Sequence, residues 1–458
     1  MKKISKDGFT LKMLSLALPI AFQQLLVSCA QIVDTAMVTS LGNVPVSAVG
    51  IAGRWMFLFN ILLFGIASGT SALIAQFWGA KDKKSILQSY SLALCLAFAT
   101  GIIFNLLCLF APRLLMSVFS EEEEVILAGI TYLKTAGFIG IFAAFNQITC
   151  LVLRSTEDVT TPLITSAVSV VANTVLNYTF IYGKFGAPAL GVKGAALATV
   201  LSAAVQSVLI AIICIAGKKI TCARPRMYAG HTSEFLGRFL KVCIPVIFNE
   251  AIWAIGTNIY SMVYARYGHE YYAGYTIFNS VEQIGFVFFV GICHACAIMV
   301  GKTIGEGSSE KAYSTAKRFI ILTPLIGVAC GAMFIAIRHP LLSSLNIETQ
   351  IAYDTAAGIL LLYSIWLPFR NIPYTAIVGV FRAGGDTRVG ILMDTVSMYT
   401  ISIPLVLILG FAVKADFIIL IAAMYLGEDA LKIILCLHRF RTRKWIKNLT
   451  YANHEKSA

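Results

Sequence analysis

The chain is written twice, and this restricts its fold more than any other feature. Shifted by 226 positions, the stretch from Leu16-Ala-Leu-Pro19 to Gly42 meets a second copy of its pattern, with Pro19 on Pro245 and Gly42 on Gly268. The register holds through the next stretch, where Gly65 falls on Gly291 and Gly79 on Gly305. With two residues inserted, Leu153-Arg154-Ser-Thr-Glu-Asp158 then lands on Phe381-Arg382-Ala-Gly-Gly-Asp386. A repeat on this scale calls for two similar units rather than one undivided core.

The content of each copy sets the solvent. The chain of 458 residues is 58% hydrophobic and only 13% charged, against about 25% charged in an average soluble domain. Apolar runs of 20 or more residues recur from end to end, each able to cross a ~30 Å hydrocarbon layer as a helix. They are continuous rather than alternating, which excludes a β-barrel. The fold class is therefore an all-α polytopic membrane protein with twelve transmembrane helices in two pseudo-symmetric six-helix bundles.

The spans read as 12–40, 47–78, 86–111, 127–153, 163–183 and 191–216, then 238–266, 273–301, 314–338, 354–382, 389–412 and 416–438. Six per copy is an even number, so both copies enter from the same side and are related by an axis along the membrane normal. The expected organisation is an N-lobe at 1–216, a cytoplasmic linker at 217–237, a C-lobe at 238–440 and a cytoplasmic tail at 441–458.

A net charge of +13 would suit a nucleic-acid binder, so its placement matters. Assigning loops alternately to two sides puts 26 Lys and Arg on the side of the termini and 8 on the other, with Arg370 and Lys432 inside spans. That is the positive-inside bias, which places both termini in the cytoplasm of a multi-pass plasma (cytoplasmic) membrane protein. The lysines before span 1 imitate a signal peptide, but the apolar run is too long for an h-region and is read as uncleaved. Cys293-His-Ala-Cys296 is the sole CxxC and has no second ligand pair for a zinc site, so its cysteines read as packing.

Ionisable residues within spans are costly and face a bundle interior or a cavity, which makes each a functional candidate. Asp34 lies in the outer half of span 1. Asn173 and Asn177, four apart on one face of span 5, and Thr199 on span 6 are its natural company. A carboxylate among neutral oxygens is a seat for a proton or Na⁺. In the second copy Glu250, Glu282 and Arg370 form a candidate charged cluster, read either as substrate-cleft residues or as a salt bridge that neutralises Arg370, and Lys432 is placed to pair with Glu428-Asp429 at helical spacing. Phe57, Tyr260, Tyr275 and Phe286 are candidates for stacking on an organic cation, weighed against simple packing.

Leu16-Ala-Leu-Pro19 … Val33-Asp34-Thr35, Leu190-Gly-Val-Lys-Gly-Ala-Ala196-Leu-Ala-Thr199 and the paired Arg154 … Asp158 and Arg382 … Asp386 segments resemble the multidrug and toxic compound extrusion (MATE) family. The resemblance covers essentially the whole chain. It implies twelve helices in two lobes around a central cleft, and a secondary active antiporter exporting organic, often cationic, compounds in exchange for H⁺ or Na⁺. It also implies that Asp34, Asn173, Asn177 and Thr199 form the ion-coupling set, and that Glu250 is the span-7 glutamate of many members. Some members carry an aspartate in span 10. This chain has Arg370 and Asn371 there, which favours H⁺ over a second Na⁺ site. The partners implied are small organic substrates and the lipid bilayer, with no nucleic acid, no cofactor beyond the coupling ion, and a monomeric protein.

The alternative within the same superfamily is a flippase for a lipid-linked saccharide, although such proteins commonly carry extra spans and a more basic cavity. A membrane-embedded enzyme should show a metal or nucleophile motif, and none is present.

Overall fold

The computed structural model describes residues 8–222, 232–345, 347 and 349–450, and within them every regular element is helical. The middle of the linker, Lys2, Lys3 and Lys6 before span 1, and Lys456 in the tail lie outside the described residues. The first half forms α1 (Phe9–Thr39), α2 (Asn43–Gly79), α3 (Lys83–Phe110), a short α4 (Pro112–Ser117), α5 (Glu123–Ala136), α6 (Ile139–Ser155), α7 (Thr160–Tyr182) and α8 (Val192–Ala216). The second half forms α9 (Ser233–Ala265), α10 (His269–Gly305), α11 (Ser309–Ser343), α12 (Gln350–Phe381), α13 (Thr387–Val413) and α14 (417–441).

Ten of these helices are long and apolar enough to cross a membrane, and α5 with α6 makes an eleventh span. The twelfth, α14, carries Glu428, Asp429 and Lys432 in its middle, which interrupts its apolar run. The span expected as one helix at 127–153 is instead broken by 52° between α5 and α6. Gly137 lies at the break, and glycine is a common site of sharp kinks. Just beyond it, a Cβ on Gly140 would stand 2.5 Å from the Gly101 carbonyl oxygen, so α6 seats directly on the α3 backbone.

Prolines bend equivalent helices. Pro19 lies inside α1 and Pro245 inside α9, while Pro368 and Pro373 lie inside α12. A π-helical stretch, Thr375–Phe381, follows Pro373 directly. Further π-helical stretches occur at Thr395–Ser402, Ile408–Val413 and Leu426–Ala430, all in the second half. Such turns admit an extra residue and mark places where a helix accommodates a neighbour or a site.

Packing divides the chain into two compact units, one of Phe22–Ile74 and Lys81–Cys243, the other made up of the segment up to Ala21, Ala75–Ala80 and the chain from Ile244 on. In the first, Gly183 ends α7 in the left-handed conformation (φ +68°) that glycine adopts without strain. Gly194 at the start of α8 then approaches so closely that a Cβ would lie 2.4 Å from the Phe180 oxygen. In the second, the repeat mates Gly79 and Gly305 make the crossing of α2 and α10. A Cβ on Gly79 would meet Lys302 O at 2.0 Å, and one on Gly305 would meet Gln76 O at 1.8 Å. No other residue type fits that crossing unless the helices part.

Candidate functional site

In the first unit the helical spacing of Asn173 and Asn177 places both amides against α1. Asn177 Nδ2 donates to Asp34 Oδ1 at 2.5 Å. With the Asn173 amide turned so that its nitrogen faces the acid, it donates to the same oxygen at 2.7 Å. Both asparagines are buried and Asp34 is half-buried. Asn177 Oδ1 is itself buried with no hydrogen-bond partner among the described residues. A buried acceptor left unmet beside a carboxylate is energetically costly. The arrangement therefore suits a species that brings positive charge or a hydrogen to this point. Among the described residues Asp34 has no ion-pair partner. The Thr199 hydroxyl donates to Ala195 O at 2.9 Å on its own helix.

The second unit is far more heavily charged. Arg370 lies 3.7 Å from Glu282 and 3.4 Å from Asp429, and its guanidinium covers the Tyr425 ring at 4.6 Å. Trp366 Nε1 donates to Asp429 Oδ2 at 2.9 Å. One turn along α14, Lys432 pairs with Glu428 at 3.0 Å, as the spacing predicts, and also with Asp394 at 2.8 Å. Asn249 Nδ2 donates to the other Asp394 oxygen at 2.5 Å. Four carboxylates thus surround two cations, and most of these side chains are withdrawn from solvent.

Glu250 does not join Arg370. It pairs with Arg382 at 2.6 Å, both side chains being almost fully buried. Arg382 lies twelve residues beyond Arg370, about 18 Å along a helix, and that distance separates the depth of Glu250 from the depth of Glu282. The aromatic candidates also divide. Tyr260 is buried in the core of the second unit with Tyr264, Phe278 and Tyr363. Tyr275 packs edge-on to Tyr264 at 4.9 Å, and Phe286 leans on Tyr374 at 4.9 Å. Phe57 is half-exposed.

Several polar residues escaped the sequence reading. Arg382 was counted as a loop cation because it ends an apolar run, yet it is 4% exposed. Gln23, Ser166 and Gln206 form a buried node in the first unit: Gln23 Nε2 donates to Ser166 Oγ at 2.6 Å and Gln206 Nε2 to the same oxygen at 3.1 Å. Arg154 donates to Gln23 Oε1 at 2.6 Å. The node's counterparts in the second half, at shifts of 226, 228 and 226, are Asn249, Asp394 and Lys432, the last only if the two inserted residues are given back before α14.

With this geometry in place, comparison with known proteins is informative. The MatE family profile matches residues 19–179 and 245–408, one stretch in each half. Among curated relatives, a probable multidrug resistance protein NorM of Thermotoga maritima is 25% identical over 402 residues, covering 87% of this chain and 85% of its own. The multidrug resistance protein MdtK of Photorhabdus laumondii is 26% identical over 422 residues, covering 90% and 89%. Among solved structures, a MOP superfamily transporter from Pyrococcus furiosus, described as having a binding pocket of reverse polarity, superposes with a TM-score of 0.85 at 20% identity over 94% of this chain and 96% of that one. An outward-facing multidrug resistance MATE transporter superposes at 0.83, with 20% identity and 94% coverage of both.

Proposed function

This chain belongs to the multidrug and toxic compound extrusion family, a family of membrane transporters rather than enzymes, and from that premise we propose that it is a secondary antiporter. It exports organic, often cationic, compounds in exchange for H⁺ or Na⁺. The lobes divide at the 217–237 linker and both termini face the cytoplasm. The observation that supports the coupling reading is Asp34, held by Asn177 and Asn173 beside the unmet Asn177 oxygen and with no cation paired to it among the described residues.

A carboxylate already paired with a fixed cation exchanges a proton or Na⁺ poorly, because the arriving charge competes with one that never leaves. Asp34 has only neutral company. Occupancy by a small cation changes the net charge of the α1–α7 contact by one, and coupling follows if drug and ion have different affinities in the two conformations. The span-10 position occupied by Arg370 favours H⁺ as that ion. Glu282 and Arg370 are the candidate substrate contacts of the second half, since both keep partial exposure where the rest of their network does not.

The test is efflux from proteoliposomes under an imposed pH or Na⁺ gradient, wild type beside Asp34→Asn. The wild type should accumulate substrate uphill, which a passive channel cannot do. The variant should fold normally and fall to the leak rate. Gradient-driven transport by Asp34→Asn at the wild-type rate would overturn the assignment.

A further inference from the structure

Residues 442–450, which follow α14, are bound to the protein rather than trailing from it. The chain turns at Arg443, which takes a positive φ of 55°, and brings Trp445 into a site where the indole is fully buried. The ring stacks on Phe440 at 5.8 Å and leans on Phe381 at 6.4 Å, and its Nε1 donates to Phe440 O at 3.2 Å. The glycine pair between α12 and α13, which from sequence reads as no more than a helix stop, makes room for it. A Cβ on Gly384 would lie 2.4 Å from Trp445 O, and one on Gly385 would be 3.1 Å from both Leu449 and the Lys447 oxygen. Lys447 N donates to Gly384 O at 2.8 Å, so tail and turn share a backbone hydrogen bond.

The other wall of this groove is the end of α2. Gln76 is fully buried and spends its whole amide on the second half. Its Nε2 donates to Ala383 O at 2.8 Å and to Lys447 O at 3.2 Å, and its Oε1 accepts from Leu449 N at 2.7 Å. Asn448 Nδ2 reaches Ile304 O on α10 at 3.1 Å. Lys447 pairs with Asp386 at 2.5 Å and Arg443 with Glu310 at 2.6 Å. The tail therefore holds α2, α10, α11 and the α12–α13 turn at once. It does so beside the Gly79–Gly305 crossing, where the two glycines bring the backbones of α2 and α10 together.

We propose that residues 443–450 are a latch: an intramolecular ligand whose seat is the groove of Gln76, Gly384 and Gly385, and whose release frees the ends of α2 and α10 to separate. In the transport cycle proposed above, that release is a step in opening the tail-bearing side. The segment is anchored at once by the buried Trp445 indole and by the Gln76 amide's bonds to Lys447 O and Leu449 N, so its release gives up apolar and polar contacts together.

Hydrogen–deuterium exchange on the full chain in lipid nanodiscs, without substrate or gradient, tests this. In the wild type the Lys447 and Leu449 amides should exchange at least about tenfold slower than in a free peptide of the same sequence. Trp445→Ala should abolish that protection and also speed exchange in the last turns of α2 and α10, at 76–79 and 302–305, whereas Trp445→Phe should preserve both. A released tail with both helix ends still protected would overturn the latch, as would a tail that stays protected in Trp445→Ala. If Trp445→Ala also loses protection at α7, the variant has unfolded. Lys447→Glu, at a half-exposed side chain that opposes Asp386, then replaces it with the same two outcomes. The exchange readout needs no transport, so failure of the efflux assay would leave its result standing.

Discussion

The two halves build the same buried node from different chemistry. In the first, Gln23 and Gln206 both donate to the Ser166 hydroxyl. In the second, the residues at shifts of 226, 228 and 226 are Asn249, Asp394 and Lys432, and they make the corresponding contacts as an amide, a carboxylate and an ammonium. Glu428 stands where the first half has Ser202, and Tyr260 where it has Asp34. The neutral node shows that this geometry does not depend on charge, since hydroxyl and amide groups hold the same corner. Charge was concentrated in one half, while the other kept a single acid apart from any cation. A network of fixed ion pairs resists exchange, and a lone acid among amides permits it. On the reading proposed above, the second half's charges serve stability and Asp34 serves ion exchange.

The sharpest way to break this comparison is to remove the cation from the charged node. Lys432→Gln restores the residue of the first half but leaves Asp394 and Glu428 buried without their counter-charge. It should destabilise the protein by about 3–5 kcal/mol, the usual cost of breaking a buried pair, read as a fall in melting temperature in detergent or lipid. The triple variant Asp394→Ser, Glu428→Ser, Lys432→Gln gives these three positions their first-half residues and should recover most of that loss, because replacing a whole buried charge set is far cheaper than orphaning part of it. If the single variant melts with the wild type, or the triple variant melts below the single one, the two nodes are not equivalent.

A smaller effect is expected at the arginines. Arg154 donates to the neutral Gln23 in the first half, while Arg382 pairs with the carboxylate of Glu250 in the second. Glu250→Gln gives Arg382 the kind of partner Arg154 already has. The expected cost is about 2 kcal/mol, the worth of a hydrogen bond to a charged group, and below that of Lys432→Gln. A larger loss would mean that the second half requires charge here as the first does not.

Much of this arrangement was legible in the sequence. The shift of 226 located both copies, their apolar runs located the helices, and the i, i+4 spacing of Asn173 and Asn177 placed two amides on one face towards Asp34. What remained hidden depends on helix depth and rotation, which periodicity along one helix does not encode. Glu250 and Glu282 looked equally suited to Arg370 until α12 placed Arg370 and Arg382 at different levels. The sequence places Thr199 in the same half as Asp34 but does not show that its hydroxyl donates to Ala195 O on its own helix. The 52° break in the fifth-to-sixth helix region and the docking of Trp445 arise from glycine contacts across the chain, at Gly140 and Gly384, that no local pattern signals.

The last and smallest contrast lies at the paired aspartates that follow the two arginines. Asp386 is almost fully buried and is gripped by Arg439 at 2.6 Å and Lys447 at 2.5 Å. Asp158 keeps more exposure, accepts from Thr161 N at 3.2 Å and Thr161 Oγ1 at 2.8 Å, and has one cation, Lys219, at 3.0 Å. Burial opposes the Asp158 charge, but the bonds from Lys219 and Thr161 outweigh it and hold the carboxyl below its ordinary value. A depressed folded-state value means that the contribution is complete above the unfolded carboxyl's pKa of about 3.9 and disappears as pH falls through the lower folded value. Asp158→Asn should therefore cost about 0.5–1 kcal/mol at neutral pH, the range for a partly exposed pair with a capping bond. Its melting difference from wild type should stay level down to about pH 5 and narrow as pH falls through and below the unfolded value of about 3.9. Raising salt should shrink the Lys219 part of it. A difference that instead grew on acidification would mean that Asp158 stabilises the fold in its protonated form, and the clamp at the start of α7 would then be no counterpart of the ion-paired one at Asp386.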